Sequence, residues 1–198
     1  MSNAFLSFER FTERRDGYPA RLFACGDIGM EIRETERLRL RRLTFDDAPF
    51  ILRLLNEPSF LRYIGDKGVR TIEDAQQYIL HGPQASYEQH GFGLYLVTVT
   101  ATGAAAGICG LIKRDTLPDV DVGYAFLPAF WGQGYAVESA AAVLSEARDI
   151  FGLTRVAAVT TPDNDSSIRV LERLGFRYER QVNLTAHEPA VKLFIVEL

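Results

Sequence analysis

The segment Trp131-Gly132-Gln133-Gly134-Tyr135-Ala136 sets two glycines between a strand that ends at Leu127 and a long helix that opens near Gly134. Glycine lets the backbone bend sharply and keeps side chains away from a close ligand. The first N–H groups of a helix have no partner inside it and point outward. The helix dipole adds partial positive charge at the same place. Such a turn suits a pyrophosphate without needing a Lys or Arg. Other phosphate loops do not fit. Gly132-Gln133-Gly134-Tyr135-Ala136-Val137 lacks the third glycine of a dinucleotide fingerprint. The acidic residue expected about 20 positions later is also missing, since the next strand opens with Thr154-Arg155. No GK[ST] sequence is present. Taken alone, the turn fits equally well a strand-to-helix connection that binds nothing.

Other chemistries have less support. A net charge of -4 with no basic stripe argues against a nucleic-acid partner. Cys25 and Cys109 lie far apart, so neither a metal site nor a disulfide framework is suggested, and Cys109, in an apolar run, reads as inert core. His81, His90 and His187 are isolated, without the spacing of a metal motif. No apolar stretch is long enough for a bilayer, and the first residues lack the apolar run of a secretory signal. The expectation is a reduced, cytoplasmic protein without metal and without a membrane partner.

Several segments, in order, resemble one family. Trp131 to Ala136 is similar to the Q/R-x-x-G-x-G/A signature of GNAT superfamily N-acetyltransferases, with Trp131 in the Q/R position. That departure is familiar in the RimJ/RimL-like branch of ribosomal-protein N-terminal acetyltransferases. Thr35-Glu36-Arg37-Leu38-Arg39-Leu40-Arg41 resembles the opening strand of that branch, Asp46-Asp47-Ala48 its first helix start, and Asp121-Val122-Gly123-Tyr124 the beginning of its fourth strand. Asn164 to Phe176 resembles its closing N-x-x-S…LE+LGF segment. The likeness spans about residues 34–198.

The resemblance implies a fold and a cofactor. In this superfamily the fourth and fifth strands splay apart and the pantetheine arm of acetyl-CoA lies between them. Backbone groups of Ala125, Phe126 and Leu127 would pair with that arm as an added strand. The amides of Gly132, Gln133, Gly134, Tyr135 and Ala136 would hold the pyrophosphate. Asn164 would reach the arm from the other side while also capping a helix.

Acyl transfer to an amine needs a proton acceptor, an oxyanion donor and support for the departing thiolate. Amides near Ala125 and Phe126 are the candidate oxyanion donors. Asp119 and Asp121 alternate with Val120 and Val122, so both acids face one side of a strand. Asp121, nearer the expected splay, is the candidate proton acceptor, or else a solvated residue on an open face. Glu138, in a helix's first turn, is a second candidate, although acids are common there for dipole reasons. His187 and Glu188 sit on a loop that would border the site. Many GNAT enzymes carry an acidic Tyr on the last helix. The matching residue here is Leu171, and the branch resemblance makes Ser167 the substitute, a hydrogen-bond donor to sulfur. The implied reaction is direct attack by a primary amine, from a protein N-terminus or a small molecule, in a ternary complex. A non-catalytic acyl-CoA-binding module on the same fold is the reading from another class.

The elements that must position these residues are legible in outline. Leu38 and Leu40 alternate with arginines, the period-2 mark of a half-buried strand. Thr44 with Asp47 and Thr71 with Asp74 open two helices. Asn56-Glu57-Pro58 ends the first, and Gly82-Pro83 breaks or kinks the second. Strands at Leu94–Thr100, Ile108–Lys113 and Val120–Leu127 have short connections and should be antiparallel neighbours. Ala136, Ala140, Val143, Leu144 and Ala147 mark an amphipathic helix stopped by Gly152. Then follow a strand at Arg155–Thr160, a helix from Asn164 to Gly175, and a closing pair at Phe176–Val182 and Val191–Leu198. The expected class is a mixed α/β (α+β) domain with a mostly antiparallel sheet flanked by helices.

Residues 1–33 read as an N-terminal extension or an expression leader, with Met30 as an alternative start, and 34–198 as the acetyltransferase domain. Phe5, Phe8 and Phe11 in the leader need a surface to cover them, which a homodimer would supply. The Glu57–Arg70 stretch, expected to border the acceptor, mixes both charge signs and does not name it.

Overall fold

The computed structural model describes residues 32–185 and 189–198. The leader, with its aromatic rings and Cys25, and the pair His187 and Glu188 lie outside the described residues.

The described residues form one eight-stranded sheet in the order β1-β2-β3-β4-β5-β6-β8-β7. The strands are β1 Ile32–Glu34, β2 Leu38–Arg42, β3 Leu94–Val99, β4 Ala105–Ile112, β5 Asp121–Phe126, β6 Arg155–Thr160, β7 Arg177–Val182 and β8 Val191–Glu197. All neighbours are antiparallel except β5 and β6, as a mostly antiparallel mixed sheet requires. The helices are α1 Ala48–Leu55, α2 Pro58–Tyr63, α3 Ile72–Ile79, α4 Ala85–His90, α5 Tyr135–Asp149 and α6 Asp165–Arg173.

Two hydrophobic layers fix the arrangement. On one face, Ile51, Leu54 and Leu55 of α1 and Ala75 and Ile79 of α3 pack on Leu96 and Ile108 of the sheet. On the other, Ala140, Val143, Leu144 and Ala147 of α5 pack on Val97, Cys109 and Val122. Fully burying an aliphatic side chain of this size contributes about 1.5–3 kcal/mol. Burial on both faces of β3 and β4 therefore favours one pairing of these central strands, with a local register shift at Val97/Thr98.

The capping signals work as read. Asp47 Oδ2 accepts from the Thr44 N–H at 2.8 Å, and Thr71 and Asp74 satisfy each other's backbone groups at the start of α3. Three local features differ from expectation. Pro58 does end α1, but it also sits in the first turn of α2, where its missing N–H costs nothing. Gly82-Pro83 does interrupt the α-helical ladder, but the helical course goes on beyond it. Leu80–Gln84 forms a π-helical turn that absorbs the proline ring, and α4 continues to Gly91, which caps it at φ 80°. β1 precedes the expected opening strand and pairs with β2 through Ile32↔Arg41 to Glu34↔Arg39.

Candidate active site

The chain from β5 to α5 forms the glycine turn. After Phe126, residues Pro128–Phe130 make a single 3-10 turn, Trp131 is extended, and Gly132 and Gly134 take φ of 72° and 82°. Side chains other than glycine are strained at both positions. The indole Nε1–H of Trp131 donates to the Phe126 carbonyl at 2.7 Å and Gln133 Nε2 donates to the Ala129 carbonyl at 3.1 Å, so the loop folds back on itself. The hydrogen bond from Glu138 N–H to the Gly134 carbonyl, at 3.0 Å, starts the helical ladder. The N–H groups of Tyr135, Ala136 and Val137 come before it and are the outward donors of α5. Residues 131–134 are exposed.

An arginine also contacts this turn. Arg37 donates through Nη1 to the Gln133 carbonyl at 3.0 Å and lies over the Tyr135 ring at 5.0 Å. Its Nε donates to Glu138 Oε2 at 2.8 Å. Glu138 also accepts from the Arg37 N–H at 2.9 Å and Thr35 Oγ1 at 2.5 Å. Burial raises the Glu138 carboxyl, but the hydrogen bonds from Thr35 and Arg37 outweigh it and hold the group below its ordinary value. Glu138 thus fastens α5 to the β1–β2 turn and is not a free proton acceptor.

β5 and β6 part almost at once. Their register is the single pair Asp121↔Ala157, with the Ala157 N–H on the Val120 carbonyl at 2.9 Å. β6 meanwhile stays paired with β8 along its whole length. These are the strands the family numbers fourth and fifth, and they are splayed from Val122 onward. Alternation decides which groups face the gap. The Leu127 N–H donates to the Ala106 carbonyl, and Ala125 lies in register with Ile108 on the same hydrogen-bonded side. The main-chain groups of Val122, Tyr124 and Phe126 therefore face β6, while those of Ala125 and the N–H of Leu127 serve β4, and the Leu127 carbonyl accepts from the Phe130 N–H. This corrects the expectation for Ala125 and Leu127, whose amides are turned away from the gap. The Phe126 carbonyl is taken by Trp131, which leaves the Phe126 N–H and the Tyr124 N–H and carbonyl toward the opening.

Across the gap, Asn164 Oδ1 accepts from the Ser167 N–H at 3.1 Å and caps α6. Ser167 Oγ lies 2.9 Å from the Tyr124 hydroxyl, which also donates to the Ser167 carbonyl at 3.2 Å. Tyr124 was not singled out from the sequence as a site residue. Its contact joins β5 to α6, which follows the other arm of the splay, and links residues 43 positions apart, a relation no local pattern carries. Leu171 is buried core, 1% exposed.

Asp121, the candidate proton acceptor, is buried and held by an arginine. It is 1% exposed, and both carboxylate oxygens accept from Arg114 Nε at 3.1 Å. Arg114 lies just past the end of β4, so the carboxylate turns toward β4 and not into the splay. Nor is it a solvated residue on an open face. Burial pushes its carboxyl up to about 6 against the opposing pull of Arg114. Asp119 is held separately, 3.2 Å from Arg155. Cys109 is fully buried in β4, and burial pushes its thiol up to about 12, which removes it as a nucleophile.

Residues 37–177 match the acetyltransferase (GNAT) domain family. The chain belongs to that family and is an acyltransferase. The N-acetyltransferase YoaA of Bacillus subtilis, itself uncharacterized, is 30% identical over 150 residues, covering 75% of this chain and 84% of that one. Among solved structures, an acetyltransferase from Agrobacterium tumefaciens superposes with a TM-score of 0.73 at 22% identity, covering 94% of this chain and all of that one. RimL, a ribosomal L7/L12 alpha-N-protein acetyltransferase solved with coenzyme A, superposes with a TM-score of 0.73 at 18% identity, covering 85% of this chain and 98% of that one. At these identities the structural likeness speaks for the fold. Among the described residues, no helix is long and apolar enough to cross a membrane.

Proposed function

We propose that the protein is an acetyl-CoA-dependent N-acetyltransferase of the RimJ/RimL-like branch that transfers the acetyl group to a primary amine by direct attack. The observation that carries this reading is the combination at β5. The strand leaves β6 after one paired residue and runs into a turn whose two glycines have positive φ at the start of α5. An extended pantetheine arm is complementary to the strand edge exposed there, and a pyrophosphate to the N–H groups of residues 132–137.

Within this reading the Phe126 N–H faces the arm or the thioester oxygen, and Ser167 donates a hydrogen bond to the sulfur as the carbon–sulfur bond breaks. Buried Cys109 disfavours a covalent acyl-enzyme. Asp121 and Glu138 are held by Arg114 and Arg37, so the amine loses its proton to solvent and attacks in its neutral form. Proximity and amide polarisation then supply most of the acceleration. Placement of the chain in the GNAT family, with a RimL-like fold, supports the donor and the amine class.

The test is release of free coenzyme A from acetyl-CoA in the presence of a panel of peptides with free N-termini and small amines. Turnover with at least one amine is expected. Tight coenzyme A binding with no turnover across the panel would instead favour a binding module.

A further inference from the structure

We propose that Tyr124 is a positioning residue for the leaving thiolate, acting through Ser167. The inference rests on the proposed acetyl-CoA reading. It starts from the 2.9 Å contact between the Tyr124 hydroxyl and Ser167 Oγ, which bridges β5 and α6 across the splay.

A serine hydroxyl alone is a poor anchor for a developing thiolate, because its proton can turn toward any nearby acceptor. Tyr124 offers two arrangements. When its O–H donates to the Ser167 carbonyl at 3.2 Å, the serine proton is drawn back onto the phenol oxygen. When its O–H donates to Ser167 Oγ, the serine proton is released to point at sulfur. Negative charge on sulfur selects the second arrangement. The result is a chain in which Tyr124 O–H donates to Ser167 Oγ and Ser167 O–H donates to sulfur, each bond polarising the next.

As the carbon–sulfur bond breaks, its electron pair goes to sulfur, and both hydroxyl protons stay on their own oxygens. Burial raises the Tyr124 phenol well above its ordinary value, so the phenol keeps its proton and acts as a hydrogen-bond donor, not an acid. Leu171, one turn beyond Ser167 on α6, is apolar and buried and supplies no hydrogen bond. Tyr124 brings a phenol to the same neighbourhood from β5.

Coenzyme A itself is the probe, which makes the test independent of the unknown acceptor. The pH midpoint for ionisation of the bound thiol is read from ultraviolet thiolate absorbance in the wild type, Tyr124→Phe, Ser167→Ala and the double variant. Coenzyme A affinity and thermal unfolding are followed in parallel. The wild-type complex should ionise at lower pH than free coenzyme A. Tyr124→Phe should raise that midpoint by about one pH unit with affinity little changed. In the Ser167→Ala background, Tyr124→Phe should add nothing, because its route to sulfur is already cut.

A Tyr124→Phe midpoint equal to wild type would overturn the proposal and leave Tyr124 as a structural bridge, whose loss moves only the unfolding temperature. An equal further rise in the Ser167→Ala background would also overturn it, since the phenol would then act without the serine. Failure of the wild type to bind coenzyme A would overturn this inference and the proposed function together.

Discussion

Arg37 and Glu138, 101 positions apart, meet at 2.6 Å between Nη2 and Oε2 and tie the β1–β2 turn to the first turn of α5. The same guanidinium donates to the Gln133 carbonyl inside the glycine turn. One ion pair therefore ties the N-terminal end of α5 to the edge of the sheet.

Glu138→Ala should loosen that end. The carboxylate accepts from Thr35 and from two Arg37 groups, and it is partly screened by solvent, so the expected loss of stability is about 1–2 kcal/mol by urea unfolding. Coenzyme A should also bind more weakly to the variant. Because the folded carboxyl lies below its ordinary value of 4.5, this stabilisation is present above that pH and fades as pH falls below it. Unchanged stability and affinity would mean that the clasp does not hold the loop.

The buried carboxylate of Asp121 predicts a pH effect of opposite sign. Its folded value lies above the unfolded one, so the fold favours the neutral acid. That preference stabilises the protein below pH 3.8 and is lost as pH rises toward about 6. Relative to Asp121→Asn, whose amide does not titrate, wild-type stability should decline across this window by on the order of 3 kcal/mol. Urea unfolding at several pH values measures it, and parallel curves for the two proteins would contradict the assignment. Any rate defect of Asp121→Asn should stay constant with pH. A defect that shrinks as the amine deprotonates unaided would restore Asp121 as the proton acceptor.

Ser167→Ala should lower kcat about tenfold to a hundredfold with little change in coenzyme A affinity, because its hydrogen bond strengthens only as charge gathers on sulfur. Steady-state kinetics with a responsive amine, paired with calorimetry, separates the two quantities. A raised KM with unchanged kcat would assign Ser167 to binding alone.

What the sequence made legible was local. The turn at 131–136 could be read because its glycines, the preceding strand and the following helix are contiguous, and the helix starts at Thr44 and Thr71 because a cap involves residues three apart. The parts that stayed hidden depend on the crossover. Tyr124 meets Ser167 only after α5 and β6 have carried the chain back across the sheet. Alternation placed Asp121 and Asp119 on one side, but it could not show that Arg114, beyond the end of β4, takes the Asp121 carboxylate. Ala125 and Leu127 flank Phe126 in the sequence, yet strand hydrogen bonding alternates, so only every second residue faces the splay. α2 was missed because Asn56-Glu57-Pro58 signals a helix end as readily as a helix beginning.

The central claim is that the glycine turn before α5 binds coenzyme A, and a calorimetric titration of coenzyme A into the wild type and Gly134→Val tests it most directly. Gly134 has φ of 82°, a left-handed backbone conformation that a β-branched side chain adopts only with strain, so valine there must distort the turn. The wild type should bind, and the variant should show no measurable binding while its circular dichroism stays native. Wild-type affinity in a folded Gly134→Val variant would contradict the account.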